Sequence, residues 1–131
     1  MSPKELMDEA VNATNKSHAP YSDFHVGAAL LTEEGKIYHG ANIETSSYSL
    51  TICAERTALF SAFIQGERNF KAIAITSDKA TYCPPCGACR QVLLDLCGKD
   101  LEVILLDNDT PKVYKISELL PISFGEEFLN K

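Results

Sequence analysis

The 131-residue sequence predicts an α/β protein: a three-layer α/β/α arrangement around a mixed five-stranded sheet. Three observations carry that expectation. The periodic segments run helix, strand, strand, helix, strand, helix, strand, strand. Residues 72–106 form a strand–helix–strand unit, which implies a parallel pair joined by a right-handed crossover. Two short apolar runs upstream flank a tight turn, which adds an antiparallel hairpin.

Each element has a local reason. Ser2-Pro3-Lys4-Glu5 is a helix start: Ser2 can cap, Pro3 suits the first helical position and Glu5 completes a capping box. Leu6, Ala10, Val11 and Thr14 follow at helical spacing, predicting a helix over 3–16 that Ala19-Pro20-Tyr21-Ser22 breaks. Val26 to Thr32 and Ile37 to Ala41 read as strands about the turn Glu33-Glu34-Gly35-Lys36. Ile52 to Gln65 has helical periodicity through Ala54, Ala58, Leu59, Ala62 and Phe63, and stops at Gly66. Ala72 to Thr76 is a strand, and residues 77–85 are a loop ending in two prolines. Gly87 to Cys97 is a helix closed by Gly98, and Leu101 to Leu106 another strand. Asn108-Asp109 turns the chain into a last strand, Val113 to Ile116, and Ser117 to Leu120 can form a helical turn. With no repeat, linker or low-complexity stretch, residues 1–131 are expected to form one domain.

Bulk composition narrows the function. The chain has 12 Lys and Arg against 18 Asp and Glu, a net charge of −6. A protein that grips a nucleic-acid backbone needs a basic surface, so no nucleic-acid partner is expected and a small uncharged substrate suits the chain better. The longest apolar runs are strand-sized, far short of the ~20 residues of a membrane helix. The first residues carry no secretory pattern, so a cytoplasmic location and no membrane partner are expected.

Five cysteines are many for this length. Cys83, Cys86 and Cys89 are packed at three-residue intervals, Cys53 lies upstream, and Cys97 falls on an apolar helical face with Leu93, where a core thiol is expected. In a reducing compartment such spacing reads as metal binding before disulfides.

Cys53 and Cys86 stand at predicted helix starts, where unpaired N–H groups favour the thiolate that zinc requires. Cys86 and Cys89, three apart, can share a face. Side chains of a first turn lean back toward the N-terminus, so Cys53 can bind a metal there while Glu55 reaches the metal's remaining position. Three thiolates and one open position make a catalytic zinc, and a nearby carboxylate outside the ligand set makes its base. Arg56, three residues after Cys53, can hydrogen-bond a ligand sulfur and offset the thiolate charge; Arg90, four after Cys86, is a second candidate. Spacing alone leaves open a closed structural site of Cys53, Cys83, Cys86 and Cys89, or a redox Cys-X-X-Cys, though neither has a use for Glu55. Pro84 and Pro85 push the preceding backbone out of the helical region, so Cys83 is expected to point away from the face where Cys86 and Cys89 meet.

The words Cys53-Ala54-Glu55-Arg56 and Pro85-Cys86-Gly87-Ala88-Cys89-Arg90-Gln91 resemble the cytidine deaminases, specifically the small three-cysteine kind. The resemblance extends to Tyr21-Ser22-Asp23-Phe24-His25-Val26-Gly27-Ala28-Ala29-Leu30, to Gly40-Ala41-Asn42-Ile43-Glu44, and to Leu119-Leu120-Pro121 with Phe124. It implies a cytidine deaminase-like fold with one Zn2+ per subunit on Cys53, Cys86 and Cys89. It also implies hydrolytic deamination at C4 of cytidine and deoxycytidine, with Glu55 shuttling protons; this is the general mechanism of zinc deaminases. The products would be uridine or deoxyuridine and ammonia, in pyrimidine salvage.

Asn42 and Glu44 have the period-two spacing that turns both side chains to one side. The resemblance assigns them the ribose hydroxyls, and assigns Phe24 the pyrimidine. It places Tyr48 and Phe124 at a neighbouring subunit's site, implying a homotetramer. The sequence departs from the family pattern at Thr45-Ser46-Ser47 and at Cys83-Pro84. An aminonucleoside antibiotic of the blasticidin S type is the alternative substrate. A nucleic-acid deaminase and a zinc-stabilised binding module are the other classes to separate.

Overall fold

The structure is a computed structural model describing residues 1–79, 82–125 and 129. Helix α1 (Pro3–Ala13) begins on the expected capping box, with the Ser2 hydroxyl accepting from the Glu5 N–H and the Glu5 carboxylate accepting from the Ser2 N–H. It ends earlier than its periodicity predicts, tightening into a 3₁₀ turn over Thr14–Lys16. Its buried face is Leu6, Met7, Ala10 and Ala13, while Val11 is 45 % exposed, so the apolar stripe is rotated from the predicted one.

Strands β1 (Val26–Thr32) and β2 (Ile37–Ala41) have the predicted limits and pair antiparallel. Gly35 supplies the positive φ of their turn, 94°. Helix α2 (Ala54–Ile64) starts two residues inside the predicted range because Cys53 is its N-cap. Strand β3 (Phe70–Ser77), helix α3 (Gly87–Cys97) and strand β4 (Glu102–Asp107) form the crossover unit, with β3 and β4 parallel. Strand β5 (Thr110–Lys115) begins earlier than predicted, and its turn uses Asn108 and Asp109 at φ 51° and 65°, the left-handed pair a two-residue hairpin needs. A short helix α4 (Ile116–Leu119) follows.

The sheet order is β2-β1-β3-β4-β5, mixed and five-stranded as expected. Alternate residues of the central strands serve opposite faces. Ala29, Leu31, Ala72, Ala74 and Ile104 pack under α1. Leu30, Ile73, Ile75, Val103 and Leu105 pack with Leu59 of α2 and Leu93 of α3. Truncating any of these larger side chains to alanine costs about 2–5 kcal/mol. Cys97 is only partly buried against this second core.

Two glycines set the layer spacing. A Cβ on Gly27 would lie 2.2 Å from the Ala10 carbonyl oxygen, and one on Gly40 would lie 2.2 Å from the Ala54 carbonyl oxygen and 2.5 Å from the Ala58 nitrogen. Helix α2 therefore rests directly on the β2 backbone, and that contact lies at its first turn, next to Cys53 and Glu55. Among the described residues no helix is long and apolar enough to cross a membrane.

Candidate active site

Helices α2 and α3 each begin on a cysteine. Cys53 and Cys86 are the N-caps, and their carbonyls accept the first intrahelical bonds, from Thr57 N and Arg90 N, both at 2.9 Å. Each cysteine thus stands at a helix end whose first N–H groups lack intrahelical partners. Cys89, in the first turn of α3, is fully buried. The sulfurs of Cys53, Cys86 and Cys89 all lie within 4.8 Å of one another, a group able to hold a metal ion. Cys83 does not belong to that cluster.

The electrostatics favour an ionised Cys53 sulfur. A hydrogen bond from Cys89 and the Arg56 guanidinium bring the Cys53 thiol down to about 5, against the opposing effect of burial. The same bond, together with burial, holds the Cys89 thiol up. Arg56 donates from Nη2 to the Cys53 sulfur at 3.3 Å, as expected, while its buried Nε has no partner among the described residues. Soft thiolates with a cationic donor beside them fit zinc by the chemistry of the donor set. Arg90 does something else: its Nε donates to the Pro85 carbonyl at 2.8 Å and Nη1 to the Leu119 carbonyl at 2.9 Å, pinning the turn before Cys86.

Glu55 is 4 % exposed, and burial raises its carboxyl pKa. It lines a cavity of about 220 Å³ with Asn42, Cys53 and Cys86. Val26, Thr51, Ile52, Ala54 and Pro84 complete much of the wall. None of these has reactive chemistry to mark it in the sequence, although Ala54 lies within one zinc word, Pro84 precedes the other and Val26 lies in the Tyr21–Leu30 word. Cys83 lines the same cavity, contrary to the expectation that it points away, and burial raises its thiol to about 11. The deciding distinction is that it faces the cavity without joining the sulfur cluster.

Asn42 and Glu44 turn out to anchor the segment before β1. Asn42 accepts from the Val26 N–H at 2.9 Å and donates to the Phe24 carbonyl at 2.8 Å. Glu44 accepts from the N–H groups of Tyr21 and Ser22, both at 3.1 Å, and from the Ser22 hydroxyl. The Ser22 hydroxyl bond and these N–H groups lower the Glu44 pKa. Phe24 is half-buried and, like Glu44, lies outside the cavity lining. Tyr48 is 69 % exposed, with its ring edge against Tyr21, and Phe124 is 57 % exposed on a carbonyl held by Gln91. Among the described residues the three histidines stay outside the sulfur cluster.

The family model described as cytidine and deoxycytidylate deaminase zinc-binding region matches residues 1–105. The chain belongs to the cytidine deaminase family. It is 50 % identical over 127 residues to the cytidine deaminase of Halalkalibacterium halodurans, covering 95 % of this chain and 96 % of that one. It is 46 % identical to that of Sporosarcina psychrophila, covering 99 % and 96 %. The crystal structure of the Burkholderia pseudomallei cytidine deaminase superposes with a TM-score of 0.90 at 46 % identity, covering 95 % of this chain and 100 % of that one. Three-layer architecture and zinc-binding region are thus family properties, and the cytidine deaminase relatives span nearly the whole chain.

Proposed function

We propose that this chain is a zinc-dependent hydrolase that converts cytidine and deoxycytidine to uridine or deoxyuridine and ammonia. One observation carries the reading: a buried carboxylate, Glu55, on the wall of a cavity reached by two of three clustered thiols. Cys53, Cys86 and Cys89 would hold the zinc, leaving one coordination position open. When bound, zinc supplies Lewis acidity that lets a water act as nucleophile at neutral pH.

The chain's own residues do the rest. Glu55 takes the proton of the attacking water and delivers it to N3 of the cytosine ring; it then takes the proton of the hydroxyl now on C4 and gives it to the departing amine, leaving the C4 carbonyl. Its burial keeps bulk water from competing for that proton. Arg56 balances the thiolate charge from Cys53.

Hydrogen-bonding capacity explains the choice of a nucleoside. After its bonds to Val26 and Phe24, Asn42 retains one N–H and one lone pair; after three acceptances Glu44 retains one lone pair. A sugar hydroxyl can donate to Glu44 and accept from Asn42 together. A single hydroxyl satisfies both, so ribose and deoxyribose serve alike. A phosphate, which only accepts, would meet the Glu44 carboxylate with repulsion. Phe24 packs against the pyrimidine in this reading. The exposed Tyr48, Leu50 and Phe124 are suited to cover by neighbouring subunits of a homotetramer. Salvage of pyrimidines in the cytoplasm is the corresponding role.

Ammonia release is the test, with cytidine set beside cytidine monophosphate, a single-stranded oligonucleotide and blasticidin S. Cytidine is expected to be far the best of the four. Preference for any other would refute the reading, and a protein that binds zinc without turnover would be a binding module.

A further inference from the structure

Beyond the last rung of the β1–β3 ladder, Val26 against Ser77, the two strands stay joined. The His25 N–H donates to Asp78 Oδ1 at 3.0 Å, and the Asp78 N–H donates to the His25 carbonyl at 3.0 Å. One residue further out, Lys79 donates to Asp23 Oδ2 at 2.9 Å, while Asp23 Oδ1 lies 3.2 Å from His25 Nε2. The Ser17 hydroxyl holds the other ring nitrogen of His25. Asp23 keeps φ at 55°, a conformation that a non-glycine residue holds when its surroundings impose it.

Phe24 lies between the two clasped residues, and Asp78 begins the connection that leads to Cys83 and Cys86 on the cavity wall. The clasp therefore joins the Phe24 segment to the residues that follow β3. Asp78 is exposed, the side chains of Lys79 and Asp23 are 50 % and 77 % exposed, and that of His25 is 30 % exposed.

We propose that Asp78 is a positioning residue for nucleoside binding: through His25 it sets where Phe24 stands relative to the end of β3. This rests on the reading of Phe24 as the pyrimidine's neighbour. Asp23 and Lys79 support the same placement from the outer side. The bond to Asp78 is charge-assisted, so its loss acts on binding while Glu55 and the thiols keep their places.

The test is kinetics and binding on zinc-loaded protein. Asp78→Ala is expected to raise KM for cytidine about tenfold, the size of a lost hydrogen bond to a charged group, with kcat within about twofold. Its affinity for uridine, read by calorimetry, should fall by the same factor, with stoichiometric zinc. Asp78→Asn keeps the acceptor oxygen and should recover most of the loss. Lys79→Ala and Asp23→Asn, at exposed positions, should raise KM by a smaller factor. An unchanged KM in Asp78→Ala overturns the proposal, as does a joint fall of kcat and zinc content in that variant. If wild-type protein fails to turn over cytidine, the preceding reading fails and takes this one with it. Normal wild-type turnover with a silent Asp78→Ala sinks this one alone.

Discussion

Arg56 donates from Nη2 to the sulfur of Cys53 across 3.3 Å, one turn along the same helix. Its Nε is buried with no acceptor among the described residues, so the side chain is ordered by the sulfur cluster and little else. Removing it leaves the thiolates without a compensating charge. Arg56→Ala is therefore expected to lose about 10–100-fold in zinc affinity or turnover. Arg56→Lys should not restore it, because a point charge lacks the planar fork. Competition with a chromogenic chelator reads the affinity directly.

Glu55→Gln is nearly isosteric and leaves the three thiols untouched. Zinc content and melting temperature should match wild type, while turnover of cytidine falls by about 10²–10⁴-fold or more, since one carboxyl serves several proton transfers. Activity within a few-fold of wild type would show that Glu55 carries no proton.

Cys83 and Cys89 separate the catalytic from the structural zinc site. Cys89 is fully buried within the cluster, whereas Cys83 lines the cavity outside it. Cys83→Ala should retain stoichiometric zinc and near-normal turnover; Cys89→Ala should lose both. Metal analysis of the two purified variants decides, and loss of zinc from Cys83→Ala would mean a closed four-thiolate site.

Glu44 gives a pH signature outside the metal site. Its bonds to Ser22 and Tyr21 lower its pKa from the ordinary 4.5. A lowered folded value means the bonds are fully present above 4.5 and are lost as pH falls through that lower value. Amide protection at Tyr21 and Ser22, normalised for intrinsic exchange, should hold at neutral pH and collapse in acid. Glu44→Gln should remove the dependence.

The parts of the fold legible in the sequence were those bounded by strong local punctuation. Strands Val26–Thr32 and Ile37–Ala41 flank Gly35, and helix Gly87–Cys97 lies between Pro85 and Gly98. Strand β5 was legible only in part. Thr110, Pro111 and Lys112 show no apolar alternation, and it is pairing with β4 that makes them a strand. Pro111 is tolerated because β5 is an edge. The thiol cluster was legible because its ligands start helices. That Asn42 and Glu44 already hold the Tyr21–Val26 segment was not, since those contacts cross 16 to 23 residues of chain that no local pattern connects.

The contact between Gly40 and the first turn of α2 bears on how this scaffold could be redesigned. Helix and strand meet there at a hydrogen atom's thickness, so the chemical end of the molecule has no freedom to recede from the sheet. Laboratory evolution toward bulkier pyrimidines would gain little from libraries on α2. Diversity placed at Thr51, Ile52, Cys83 and Pro84, which line the cavity outside the helices, enlarges it without disturbing the packing beneath the reacting groups.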